Sequence, residues 1–111
     1  MSISEEDYEA RALPELRALV DALDALELPN VECELASDIL TIEHANGDRY
    51  VVNSHRAARQ IWMAAERNAW HFDWDDERAA WVAKKSGDEL WAALSRVLTT
   101  KLGKPVALSK V

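Results

Sequence analysis

Between Glu5 and Leu26 the apolar positions Tyr8, Ala12, Leu16, Leu19, Leu23 and Leu26 follow one another at steps of three or four residues. That spacing draws one apolar stripe along a helix and predicts a first helix over about 5–26 with one buried side. Ser4 followed by Asp7 reads as its N-terminal cap, Asp being a weaker closer than Glu or Gln. Pro14 lies inside the stretch, where it removes the hydrogen bond to the carbonyl of Ala10 and disfavours a helical Leu13. A kink or a restart is therefore expected there. Leu28-Pro29-Asn30 ends the helix.

Beyond Asn30 the period shortens to two. Val31, Cys33 and Leu35 alternate with Glu32 and Glu34, the pattern of a half-buried antiparallel strand. Ala36-Ser37-Asp38 turns the chain into a second strand, Ile39–His44, in which Leu40, Ile42 and His44 share a face. Asn46-Gly47 is a strong hairpin signal and leads into a third strand, Arg49–Asn53. Residues 54–59 read as a loop. Gln60–Ala65, Trp70–Trp74 and Ala80–Ala83 then read as three more short strands, the last two joined through Asp75-Asp76-Glu77-Arg78.

The closing element is again helical. Ser86 and Glu89 are spaced as a capping box, and Leu90, Leu94, Val97, Leu98 and Leu102 form the buried stripe. Gly103 supplies a left-handed stop with Pro105 just beyond it, and Val106-Ala107-Leu108 is apolar enough to pack back onto the body. The fold expected is α+β: a two-layer α-β sandwich with both helices on one face of an antiparallel sheet of about six strands. One domain spans 1–111.

Composition narrows the classes of function. A chain of 111 residues closes one core and has no room for a cofactor domain beside a substrate domain. No apolar run approaches the ~20 residues of a membrane span, and the acidic start is unlike a secretory signal. The lone cysteine, Cys33, excludes an internal disulfide and a multi-thiolate zinc site, so a cytoplasmic home is expected. Residues 1–43 hold twelve acids against two bases, a net −10, which leaves +3 for residues 44–111. So lopsided a charge argues against nucleic acid, whose phosphates need Lys and Arg. It favours cations or a basic protein surface on the N-terminal side.

Candidate chemistry lies in a few side chains. Ile61 and Met63 share one strand face, which puts Trp62 on the other beside Gln60, either as an exposed binding anchor or under a loop. Trp70, Phe72 and Trp74 are in phase and read as core, as do Trp81 and Trp91. His71 and Asp73 share a strand face, as a general base and its orienting carboxylate would, or as plain surface residues. Cys33 between two acids is a poor nucleophile, no phosphate loop or serine elbow occurs, and the histidines 44, 55 and 71 read as scattered. Asp21 and Asp24 lie side by side on the polar face of the first helix, and Glu32 and Glu34 project from one strand face roughly 7 Å apart. With only Glu27–Asn30 between the two elements, these acids would form a ridge binding hard cations weakly, or simply a solvated acidic face.

The succession Leu40-Thr41-Ile42-Glu43, Asn46-Gly47, Tyr50-Val51-Val52-Asn53, Gln60-Ile61-Trp62-Met63-Ala64, Phe72-Asp73-Trp74, Trp81 and Ser86-Gly87 resembles the frataxins, whose bacterial branch is called CyaY. The resemblance runs from about Tyr8 to Leu108, and its most specific part is the asparagine strand followed by Gln-Ile-Trp. Ala36-Ser37 stands where the family often has Gly-Gly, Pro14 is unusual, and Ala65–Asn68 lacks the frequent Ser-Pro-x-Ser-Gly wording.

The resemblance implies an α-β sandwich that takes part in iron–sulfur cluster assembly and contacts a cysteine desulfurase and its scaffold protein. It implies ferrous and ferric iron held weakly on an acidic ridge, here Asp21, Asp24, Glu27, Glu32, Glu34 and Asp38, with other di- or trivalent cations able to substitute. It implies partner contacts at Asn53, Gln60, Trp62 and His71. The expected protein is a monomeric, iron-binding regulator with no catalytic residue. The alternatives are an iron oxidase working through ridge carboxylates with His44 or His71, and an iron store that assembles into oligomers on iron loading.

Overall fold

Ser4 starts the first helix as its cap, its hydroxyl oxygen accepting the amide of Asp7 at 3.1 Å. In the computed structural model, which describes residues 3–110, this helix α1 runs unbroken from Glu5 to Leu26. The restart expected at Pro14 does not occur. Proline forfeits one backbone bond, but Tyr8 and Ala12 before it and Leu16, Leu19 and Leu23 after it are all buried in the same core, so packing on both sides carries the helix through. Glu27 ends it in the left-handed region, φ 48°.

The described residues then form β1 (Val31–Ala36), β2 (Ile39–His44), β3 (Arg49–His55), a short 3-10 turn (Arg56–Ala58), β4 (Gln60–Ala65), β5 (Asn68–Asp75), β6 (Ala80–Val82) and α2 (Leu90–Leu102). The six strands lie in chain order, each antiparallel to the next. The two-layer fold expected from the sequence is thus the one observed. Strand β3 runs two residues further than expected, because Ser54 and His55 pair with Ile61 and Gln60.

The second helix starts differently from the expectation. Glu89, not Ser86, is the cap: its carboxylate accepts the amides of Trp91 and Ala92 at 2.9 and 3.2 Å. Ser86 instead serves the preceding turn, where its hydroxyl accepts the amide of Asp88 and the Ala83 carbonyl accepts those of Ser86 and Gly87. Gly103, at φ 69°, closes α2 as its position implied. Val106 and Leu108 are buried against the core, and the Thr99 hydroxyl exchanges hydrogen bonds with the backbone of Val106.

One face of the sheet lies under the helices. Leu40, Ile42, Tyr50, Val52, Ile61, Met63, Trp70 and Phe72 point into this layer and are buried with the apolar stripes of α1 and α2. Helix α1 packs over β1–β3, and the Tyr8 hydroxyl donates to the carbonyl of Gln60 at 2.9 Å. His44 also points inward, 5% exposed, its ring edge-on to Tyr50, with neither ring nitrogen hydrogen-bonded. The opposite face of the sheet has no covering layer among the described residues.

Candidate functional site

Strand alternation leaves on the open face the residues between the buried ones, and the antiparallel register lines them up in rows. One row crosses five strands: Ala36 opposite Ile39, Ile39 opposite Asn53, Asn53 opposite Trp62, and Trp62 opposite His71. The next row on one side is Glu34, Thr41, Val51, Ala64 and Ala69. The row on the other side contains His55, Gln60 and Asp73. Trp62 is therefore on the open face as an anchor must be, and outside the buried core.

Its ring is held from three sides. His55 stacks on one face at 3.8 Å between centroids and His71 on the other at 4.3 Å, each within 13° of parallel. The indole N–H donates to Oε1 of Gln60 at 2.8 Å, and Nε2 of Gln60 donates to both oxygens of Asp73 at 3.2 and 3.3 Å. The Asn53 amide donates to the carbonyl of Ser54 at 3.0 Å. A large amphipathic ring fixed before any partner arrives loses little entropy on binding, which suits a contact residue.

Two sequence readings change here. His55 and His71 are not scattered; the β3–β4 hairpin and the β4–β5 pairing bring them to the two faces of one indole, while His44 lies apart under the sheet. Nor do His71 and Asp73 act as a pair, since the carboxylate is taken up by Gln60 and the imidazole lies on Trp62. The face also contains two residues that the sequence reading missed. His55 was hidden in an assumed loop, although its side chain accepts the Ala58 amide and so caps the 3-10 turn. Ile39, 48% exposed, is one of two large apolar side chains left exposed among the described residues, and lies in the row of Trp62.

The acids divide between the two sides of the sheet edge. Glu32 and Glu34 share the open face of β1 with the Trp62 row, whereas Asp21, Asp24 and Glu27 come from α1 on the covered side. The end of α1 does lie against the start of β1: Asp24, Glu27, Val31 and Cys33 line one shallow depression. Asp38 stands elsewhere, in the β1–β2 turn beside Tyr8 and Glu9, its carbonyl accepting the Ser54 amide. None of these six acids is in an ion pair among the described residues, where the paired acids are Glu9, Glu15, Glu43, Asp48, Glu66 and Asp88. No group of three or more His, Cys, Asp or Glu converges tightly enough to hold a metal ion among the described residues. The border is a spread of uncompensated carboxylates.

Cys33 points to the covered side of β1, and burial, helped by the charge of Asp24, pushes its thiol up to about 11. A thiol so protonated at neutral pH is not a nucleophile. No helix of the described residues is long and apolar enough to cross a membrane.

Comparison with known proteins agrees with this architecture. The family model described as Frataxin-like domain matches residues 1–104. The iron-sulfur cluster assembly protein CyaY of Aeromonas hydrophila subsp. hydrophila is 33% identical over 103 residues, covering 91% of this chain and 96% of the relative. That of Paraburkholderia xenovorans is 35% identical over 104 residues, covering 94% and 96%. The solved frataxin of Psychromonas ingrahamii, a CyaY-family protein, superposes with a TM-score of 0.86 over 97% of this chain and all of its own, at 19% identity, a likeness of fold. With its helices, its sheet order and nearly its full length accounted for, the chain belongs to the frataxin family.

Proposed function

We propose that this protein regulates iron–sulfur cluster assembly in the cytoplasm, binding iron weakly along its acidic border and docking on the cysteine desulfurase and its scaffold. The observation that carries this reading is the immobilised, half-buried Trp62, held between His55 and His71 on an uncovered sheet face that Glu32 and Glu34 border. The relatives named as iron–sulfur cluster assembly proteins supply the pathway. Uncompensated carboxylates attract cations and basic protein surfaces over long range, with a strength that falls as salt is added. The row Ile39–Asn53–Trp62–His71 gives the short-range contact: an aromatic anchor flanked by the polar Asn53 and His71, with the apolar Ile39 at the end of the row. The protein makes and breaks no bonds in this role; docking alters the rate of sulfur transfer or of cluster building.

A reconstituted cluster-assembly time course tests it, with and without this protein, at two iron levels. The rate changes on addition, and Trp62→Ala removes most of the change. An identical time course with and without the protein rejects the reading. Stoichiometric ferrous iron under air is the companion measurement: oxidation no faster than in protein-free buffer is expected, and sustained turnover would put an iron oxidase ahead.

A further inference from the structure

Beside the Trp62 row lies a groove of about 590 Å³, walled by the start of β5, the turn after β6 and the side of α2. The exposed edge of Trp70, a ring otherwise buried at 9% exposed, gives it a narrow apolar floor, and Lys85, Arg96 and His71 give it polar and cationic groups. Its one acid is already engaged. Asp88 accepts the Trp70 indole N–H at 3.0 Å and a two-pronged contact from Arg96 at 3.2 Å on each oxygen. Arg96, then Trp70, hold that carboxyl down at about 2, so the pair stays charged and self-compensating.

The fork spends one hydrogen of each terminal Arg96 nitrogen, which leaves donors open on a side chain 56% exposed. Lys85 is exposed and in no ion pair among the described residues. The groove therefore carries an uncompensated positive charge, while the far border of the same sheet carries uncompensated carboxylates. His71 belongs both to its lining and to the stack on Trp62, so the two surfaces are continuous.

We propose that this groove seats an acidic, extended segment of the protein that covers Trp62, with carboxylates at Lys85 and Arg96 and the segment's apolar side on Trp70. The inference rests on the docking reading above. A lone inorganic anion would leave most of the groove unfilled and its apolar surface uncovered, whereas a peptide segment uses both. Opposite charges at the two edges of one sheet also fix which way round a partner can lie, because the reversed pose sets like charges together.

Binding to the desulfurase–scaffold complex is measured for the parent, Lys85→Glu, Lys85→Arg and Trp62→Ala. Lys85→Glu weakens binding about five- to tenfold at low salt, the gap narrowing as salt rises, and Lys85→Arg matches the parent. Equal binding by Lys85→Glu and the parent, with Trp62→Ala still defective, overturns the groove and leaves the docking reading standing. If the parent itself does not bind, the docking reading falls, and a hexaglutamate peptide decides the groove, followed on the Trp70 indole N–H by nuclear magnetic resonance. A saturable shift that Lys85→Glu abolishes upholds the site; no shift, or one that survives the substitution, overturns it.

Discussion

Trp91 of α2 donates its indole N–H to the carboxylate of Glu15 in α1, joining the two helices by a polar contact within an otherwise apolar seam. The other oxygen of Glu15 meets Lys110 at 3.3 Å, and the acid is only 8% exposed. Removing the acceptor leaves a buried donor without a partner. Glu15→Ala should destabilise the fold by about 2–3 kcal/mol in urea titration, and Glu15→Gln, which keeps an acceptor, by clearly less. No loss in Glu15→Ala would mean that the fold does not depend on this contact.

On the open face, truncation should separate binding from folding. Trp62→Ala is expected to change stability by no more than about 1 kcal/mol, since the ring is outside the core, yet to cost about 2 kcal/mol in docking, roughly thirtyfold. Ile39→Ser should weaken docking less, by several-fold, with the thermal midpoint unchanged. Isothermal titration and thermal melts on the same samples read both. A collapse of the melt in Trp62→Ala would assign the ring to the core instead.

For the acidic border, Asp21, Asp24, Glu32 and Glu34 are replaced together by Lys. Iron-induced shifts in the amide spectrum should vanish, and the thermal midpoint should rise by a few degrees because close like charges no longer repel. An unaltered iron titration would take these carboxylates out of the proposal.

His44 gives the fold a dependence on pH. Burial, followed by the nearby Lys101 charge, lowers its pKa below the ordinary 6.5, so the folded state prefers the neutral ring. A group depressed in this way supports the fold fully above about pH 6.5 and withdraws support as pH falls toward the folded value, where only the unfolded chain takes the proton. Stability should therefore decline below about pH 6.5, and His44→Phe should flatten that decline while keeping the edge contact with Tyr50. Parallel declines in both proteins would move the effect to other groups.

Much of this was legible in the sequence because periodicity reports faces. The alternation Ile61, Trp62, Met63 gave Trp62 its side, and the three- and four-residue steps of α1 gave its buried stripe. What could not be read depends on pairing. His55 reaches Trp62 only because Arg59, at φ 53°, tightens the turn and lets β3 extend to meet Gln60. By type Ser86 is the better cap, Glu lying outside the preferred N-cap residues; the left-handed Gly87 and the Ala83 carbonyl hold Ser86 in the preceding turn and leave the role to Glu89. Asp38 follows Glu34 closely in the chain, but the length of β1 carries it to the opposite end of the border from Asp24.

Strand β1 has a neighbour on one side only, which leaves a row of ladder donors and acceptors that another polypeptide could complete. Glu32 and Glu34 guard that rim, because an incoming strand must approach two unshielded negative charges. On the proposed reading of the border, a coating of multivalent cations disarms that guard. A rim so neutralised invites strand addition, so self-association should track cation load and reverse when a chelator strips the cations away.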